Sequence, residues 1–95
     1  MLQYCIVNEI SIIDGNVNYT PIGYLTDMND CDLINNKYES TFQAWVNDNL
    51  QGLEDGSVSI NTFFDTTPKT WETYQSTTSV EGMGLTEITD ITPYI

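Results

Sequence analysis

The sequence feature that most constrains the fold is an apolar stripe between residues 40 and 53. The stripe consists of five residues, Phe42, Trp45, Val46, Leu50 and Leu53. Their spacing follows the period of an α-helix, so they share one helical face. Ser40 and Gln43 match a capping box at its start, and Gly52 is a typical stop signal. The pattern predicts an amphipathic helix over residues 40–52, which needs a second apolar surface to cover its Phe and Trp.

A β-hairpin over residues 2–26 is the expected source of that surface. Apolar and polar side chains alternate through residues 2–13, which is the period of a strand. Asp14 and Gly15 follow directly. They favour a two-residue type I′ turn, because this turn requires positive φ at both central positions.

The predicted turn sets the register of the hairpin. It places Ile12 opposite Val17 and Ile10 opposite Tyr19, so two apolar pairs share one face. Pro21 cannot donate a hydrogen bond to a neighbouring strand. The second strand is therefore expected at an edge of the sheet or bulged at the proline.

The later segments carry weaker patterns. Residues 27–39 are rich in Asp and Asn, which favours a loop. Residues 57–64 alternate and predict a third strand. Residues 67–74 begin with Thr and Pro, which favours a short helix, with an extended Thr-rich segment as the alternative. Residues 85–91 alternate imperfectly and favour a further strand.

The patterns together predict an α+β fold. It consists of a small antiparallel sheet of three or four strands with the helix 40–52 packed on one face. A length of 95 residues fits one domain over residues 1–95. The 40% of hydrophobic residues exceeds what a disordered chain carries, so the chain is expected to fold despite its charge.

The charge limits the partners. The chain has 2 Lys and Arg residues against 14 Asp and Glu, for a net charge of −12. Lys37 and Lys69 are its only cations. Direct binding to nucleic acid or to an anionic membrane surface is not expected, because both need basic groups. The charge favours a basic protein surface or a divalent cation, and solubility alone is the plain alternative.

The residue types for common catalytic sites are scarce. The chain has no His, which removes the usual general base and the usual zinc ligand. Cys31 lies between Asp30 and Asp32, whose charge disfavours a reactive thiolate. Two reduced thiols are expected for Cys5 and Cys31, with a single disulfide as the alternative. No catalytic residue, no cofactor and no enzymatic activity are predicted.

A weak calcium candidate lies at the start of the Asp- and Asn-rich segment. Its oxygen ligands would come from Asp27, Asn29, Asp30 and Asp32. The EF-hand pattern fails, because Asp32 occupies the position of the required glycine and Tyr38 that of the bidentate Glu. A solvated Asn/Asp loop is therefore favoured over a metal site.

Half of the carboxylates fall within residues 27–55 and form the predicted partner-binding acidic patch. The patch consists of Asp27, Asp30, Asp32, Glu39, Asp48, Glu54 and Asp55. The last three crowd the end of the predicted helix, where the helix dipole disfavours anions. Local stability does not explain that placement, which leaves a tolerant surface or contact with a cationic partner.

These observations predict a non-catalytic protein–protein interaction module that docks through its acidic face onto a basic protein surface, as part of a larger assembly. The richness in Thr, Asn and Ile on short β elements favours a viral accessory or virion-assembly component. The alternative is an acidic inhibitor that mimics nucleic acid and blocks a basic groove of a host enzyme. A third interpretation is a small calcium-binding module.

The N-terminal segment bears on localisation. Residues 1–13 lack a positive first region and contain polar residues inside their apolar run, so a secretory signal is not expected. No stretch has the length and apolar character of a membrane span. A location in the host cytoplasm or in the virion is expected if the protein is viral.

Overall fold

A computed structural model describes residues 4–76 and 80–95, and it confirms the predicted α+β class. Its strands and helices are, in chain order, β1 (Cys5–Ile13), β2 (Asn16–Leu25), α1 (Met28–Asp48), α2 (Leu50–Asp55), α3 (Asn61–Thr66) and β3 (Trp71–Gln75). Short 3₁₀ turns follow at Glu81–Met83 and Thr92–Tyr94. The three strands form one antiparallel sheet in the order β2-β1-β3.

The predicted hairpin is confirmed over the described residues, and residues 2 and 3 lie outside them. Asp14 and Gly15 have φ values of 51° and 79°, as a turn with two left-handed positions requires. The predicted cross-strand pairs Ile12–Val17 and Ile10–Tyr19 are both present.

The expectation for Pro21 is also confirmed. β2 is an edge strand of the sheet. Asn8 pairs with Pro21 while the preceding Val7 pairs with Gly23, so Ile22 is an extra residue on β2. The proline and the bulge lie together, because proline has no N–H to donate at a regular ladder position.

The predicted bounds of the main helix are wrong. α1 begins at Met28, where the Asp27 carboxylate accepts a 2.9 Å hydrogen bond from the Asn29 N–H. Ser40 is inside the helix, and its hydroxyl donates to the Asn36 carbonyl at 2.9 Å. The predicted loop 27–39 is therefore helical. Its polar composition masked the apolar side chains that continue the helical stripe toward the N-terminus.

The end of the predicted helix also differs. Gly52 does not stop a helix but lies within α2, where a Cβ would come 2.5 Å from Val58 Cγ2. The helical stop is Gly56, which has φ of 83°. Gly52 is required by close packing rather than by a left-handed conformation.

The main core lies between one face of the sheet and the first half of α1. Its buried residues are Cys5, Val7, Leu25, Cys31 and Ile34. A disulfide joins Cys5 on β1 to Cys31 on α1, so the expectation of two reduced thiols is wrong. The bridge closes a separation of 26 residues. By its effect on the unfolded chain it contributes about 3 to 4 kcal/mol to the free energy of unfolding.

A second, aromatic cluster lies on the other half of α1. The ring of Phe63 in α3 lies 5.4 Å from that of Tyr38, 5.1 Å from Phe42 and 5.6 Å from Trp45. The helical stripe is thus covered by another helix and not by the sheet. The predicted strand at 57–64 is wrong, because a helical turn is what brings Phe63 into this cluster.

The segment after α3 follows the extended alternative. The predicted helix at 67–74 is wrong, since β3 occupies Trp71–Gln75 and pairs with Cys5–Glu9 of β1. Thr73 of β3 is also tied to α1, because its N–H donates to Asn35 Oδ1 at 2.7 Å. The sheet and the helix are therefore joined by a polar contact as well as by the core.

Residues 85–91 do not form the predicted further strand. They make an isolated parallel bridge between Glu87 and Tyr24, in which the Ile88 N–H donates to the Tyr24 carbonyl at 2.8 Å. A Cβ at Gly23 would lie 2.6 Å from Ile88 Cγ1. The absence of a side chain at Gly23 thus allows this segment to pack against β2.

The aromatic cluster gives a prediction for two adjacent residues. Phe63 is 1% exposed and Phe64 is 49% exposed. Phe63→Ala should lower the free energy of unfolding by about 3 to 5 kcal/mol, because it opens a cavity among four rings. Phe64→Ala, the matched control, should cost about 1 kcal/mol or less because that side chain is already half in water. Chemical denaturation measures both, and equal losses would contradict the cluster.

Candidate functional site

The far end of the hairpin projects beyond the rest of the sheet. β3 pairs with β1 only from Cys5 to Glu9, and the last link on that side is the Ile10 N–H, which donates to the Thr70 carbonyl at 2.8 Å. From residue 11 to residue 19, β1 and β2 pair only with each other among the described residues. We call residues 11–19 the hairpin arm.

The hairpin arm exposes large apolar side chains. Their exposed fractions are 65% for Ile12, 59% for Ile13, 53% for Val17 and 56% for Tyr19. Single exposed apolar residues are normal on a protein surface, but four within nine residues are not. Because Ile12 and Val17 are directly paired, they form one continuous apolar strip on one face of the arm.

The hairpin arm also has open strand edges. Among residues 4–76 and 80–95, no backbone group pairs with the outer edge of β2 between Asn16 and Thr20. The opposite edge, along residues 11–13 of β1, is likewise unpaired within the described chain. Free N–H and C=O groups on an edge can pair with a strand of another chain.

The seven residues of the predicted acidic patch do not form one surface. At about 100° of rotation per residue, Asp32 and Glu39 lie on one flank of α1, whereas Asp30 and Asp48 lie on the opposite flank. Asp27 caps the helix, and Glu54 and Asp55 lie at the end of α2. The structure thus spreads these carboxylates over two helices, and their role in partner binding stays a prediction.

The candidate calcium ligands lie at the start of a helix instead of in a loop. Asp27 Oδ1 is engaged by the Asn29 N–H, and Asp30 and Asp32 point to different sides of α1. Within the described part of the chain, no three His, Cys, Asp or Glu side chains converge as metal ligands would. Both thiols are taken up by the disulfide.

The exposure of the arm was not predicted from the sequence. The hairpin strands of nine and ten residues exceed the five-residue third strand. A third strand of that length can cover only half of the hairpin, so the apolar pairs nearest the turn stay uncovered. The alternation alone indicated two faces and could not show which pairs a third strand would reach.

Comparison with known proteins adds no relative. No protein family, no characterised protein and no solved structure matches the chain. Among the described helices, none combines the length and the apolar character needed to cross a membrane.

The end of α2 gives a prediction for pH dependence. Hydrogen bonds from the Ser57 side chain and N–H, the latter at 2.8 Å, lower the pKa of the exposed Asp55 carboxyl below its usual value of 3.8. A lowered pKa means that the carboxylate stabilises the fold above pH 3.8, and that this contribution is lost as the pH falls through the lowered pKa. Asp55→Ala should therefore lower the melting temperature at pH 7.

The measurement is thermal melting of the parent and of Asp55→Ala between pH 7 and pH 2. The difference in melting temperature should shrink below about pH 4, where the parent loses its charged acceptor. Asp55→Asn is the matched control, because its amide oxygen still accepts from Ser57 and should retain part of the effect. A difference that is constant over the whole range would contradict the role of the carboxylate.

Proposed function

We propose that the protein is a non-catalytic protein–protein interaction module whose docking element is the hairpin arm. The observation that carries the proposal is the apolar strip of Ile12 and Val17 on an arm with open strand edges. Burying these two side chains in a partner is favourable by about 25 cal/mol per Å² of apolar surface removed from water. Nothing within the described chain covers them.

The apolar character of the arm and the charge of the protein indicate what kind of surface the partner presents. Asp14 is the single charged residue between positions 11 and 19, so the contact itself is largely apolar. The molecule as a whole carries a net charge of −12. A partner with an apolar groove and a basic rim would be steered toward it, and the association rate would fall with added salt.

The unpaired edge supports strand addition as the way of docking. The backbone of residues 17–20 offers N–H and C=O groups along the outer side of β2, whereas the Asn16 carbonyl already accepts from Asn18 Nδ2 at 3.1 Å. A partner strand that pairs there would extend the sheet, and the apolar strip would select its side chains. Strand addition needs no movement of the helices, because the arm consists only of β1, β2 and the tight turn between them.

The residues of the acidic patch keep a secondary role in this proposal. Their carboxylates lie on opposite flanks of α1 and at the end of α2, so they do not form one contact surface. Mimicry of nucleic acid stays a prediction. We therefore assign the acids to steering and the arm to contact. A viral accessory or virion-assembly setting stays a prediction from composition.

The test compares two double variants that each replace two exposed apolar side chains by Thr. Ile12→Thr with Val17→Thr removes the strip but keeps residues that favour strands. Leu33→Thr with Ile60→Thr is the control, because Leu33 and Ile60 are also exposed but lie away from the arm. Both variants should keep a cooperative melt, since the changed side chains are already about half in water.

Affinity isolation from the source cells, followed by binding kinetics with the isolated partner, measures the outcome. The arm variant should lose at least about tenfold in affinity, as loss of two buried apolar side chains requires, while the control variant binds like the parent. Equal binding by the two variants would overturn the proposal. Concentration-dependent dimerisation of the parent, lost in the arm variant, would also overturn it in favour of a second copy as the occupant.

A further inference from the structure

We propose that a cleft beside β3 binds a small organic anion, which is a role independent of the hairpin arm. The cleft has a volume of about 260 Å³ and lies between α1, the segment that leads into β3, and the turn at Thr92–Tyr94. Lys37 enters its wall from α1, and Lys69 enters from the segment before β3. These residues lie far apart in sequence and meet only in the fold.

The charge of the cleft is the reverse of the charge of the protein. Lys37 and Lys69 are the only cations of the chain, and both line this one cleft. The chain has 14 carboxylates, yet no Asp or Glu is among the residues that line it. An anion is repelled by most of a surface with a net charge of −12, whereas this cleft offers it two ammonium groups and no Asp or Glu among its lining residues.

The two lysines differ in whether they form an ion pair. Lys69 pairs with Glu72 at 3.3 Å, and both side chains are about a third exposed. Lys37 forms no ion pair with any residue in the described ranges. A bound anion would therefore form an ion pair with Lys37 and would compete with Glu72 for Lys69.

The residues that line the cleft indicate which chemical groups the anion contains. Thr67 and Thr70 are lining residues next to Lys69 in the chain, whereas the Thr41 hydroxyl already donates to the Lys37 carbonyl at 2.8 Å. The ring of Trp71 contributes a flat apolar wall and is held edge-to-face against Tyr94 at 4.7 Å. A carboxylate or phosphate head would contact the lysines while a compact apolar body lies against Trp71.

The cleft is held open by the fold. The Thr67 N–H donates to the Phe63 carbonyl at 2.8 Å, and the Thr70 carbonyl accepts from the Ile10 N–H at 2.8 Å. The segment that carries Lys69 is thus tied to α3 at one end and to β1 at the other. A site whose backbone is already ordered loses less entropy when a ligand binds. The volume is slightly below that of clefts for drug-sized molecules, which fits a small ligand.

The test is an NMR titration of the full chain with four probes. Benzoate and phenyl phosphate carry the anion and the ring, inorganic phosphate carries the anion alone, and benzyl alcohol carries the ring alone. Benzoate or phenyl phosphate should shift the amides of residues 37–41, Thr67 and 69–71 saturably, and the tighter-binding probe of the two identifies the head group. Inorganic phosphate should bind more weakly, and benzyl alcohol should not saturate.

Charge variants separate a site from bulk electrostatics. Lys37→Gln and Lys69→Gln should each weaken binding on the order of fivefold, as loss of a partly exposed ion pair does. Glu72→Gln should strengthen it because Lys69 is released. Asp14→Asn is the matched control, since it removes the same charge at the tip of the arm and should leave the affinity unchanged.

Two results would overturn the proposal. The first is the absence of saturable shifts with both benzoate and phenyl phosphate in a sample whose spectrum shows a folded chain. The second is an equal effect of Glu72→Gln and Asp14→Asn, which would show that only the net charge matters. Neither result bears on partner binding by the hairpin arm.

Discussion

The helix α1 is the element on which the rest of the structure depends, because it is part of both apolar clusters. Its first half carries Cys31 and Ile34 into the core against the sheet, and its second half carries Phe42 and Trp45 against Phe63 of α3. The disulfide joins the first half covalently to β1. Neither cluster is large, and the continuous helix α1 is the element that links the short sheet to the short helix α3.

The exposure of the hairpin arm results from the small extent of the apolar core. The five-residue β3 covers β1 only as far as Glu9, and α1 packs over the same half of the sheet. Ile12 and Val17 lie beyond both, so their exposure is a consequence of the length of the hairpin and not of a loose core. The cleft lies where the segment between the aromatic cluster and β3 passes α1. The arm thus lies beyond the covered half of the sheet, and the cleft lies beside the segment that joins the aromatic cluster to β3.

Local sequence preferences predict the hairpin correctly, whereas tertiary contacts determine most of the remaining secondary structure. The turn at Asp14 and Gly15, the register and the edge position of β2 follow from φ preferences and from the missing N–H of proline. The helical state of residues 27–39 depends on Cys31 and Ile34 being buried, which their polar neighbours concealed. Residues 57–64 alternate like a strand, but Phe63 is fixed by rings from α1. The cleft was beyond sequence reasoning, because Lys37 and Lys69 meet only through the fold.

Amide hydrogen exchange across α1 tests this account most directly. If one helix carries both clusters, the amides of residues 32–39 should be protected from exchange to a degree similar to those of residues 42–48. Reduction of the Cys5–Cys31 disulfide should lower the protection first in the segment 32–39. A solvated Asn/Asp loop would instead exchange at the rate of an unstructured chain. Unprotected amides at 32–39 beside protected ones at 42–48 would contradict the account.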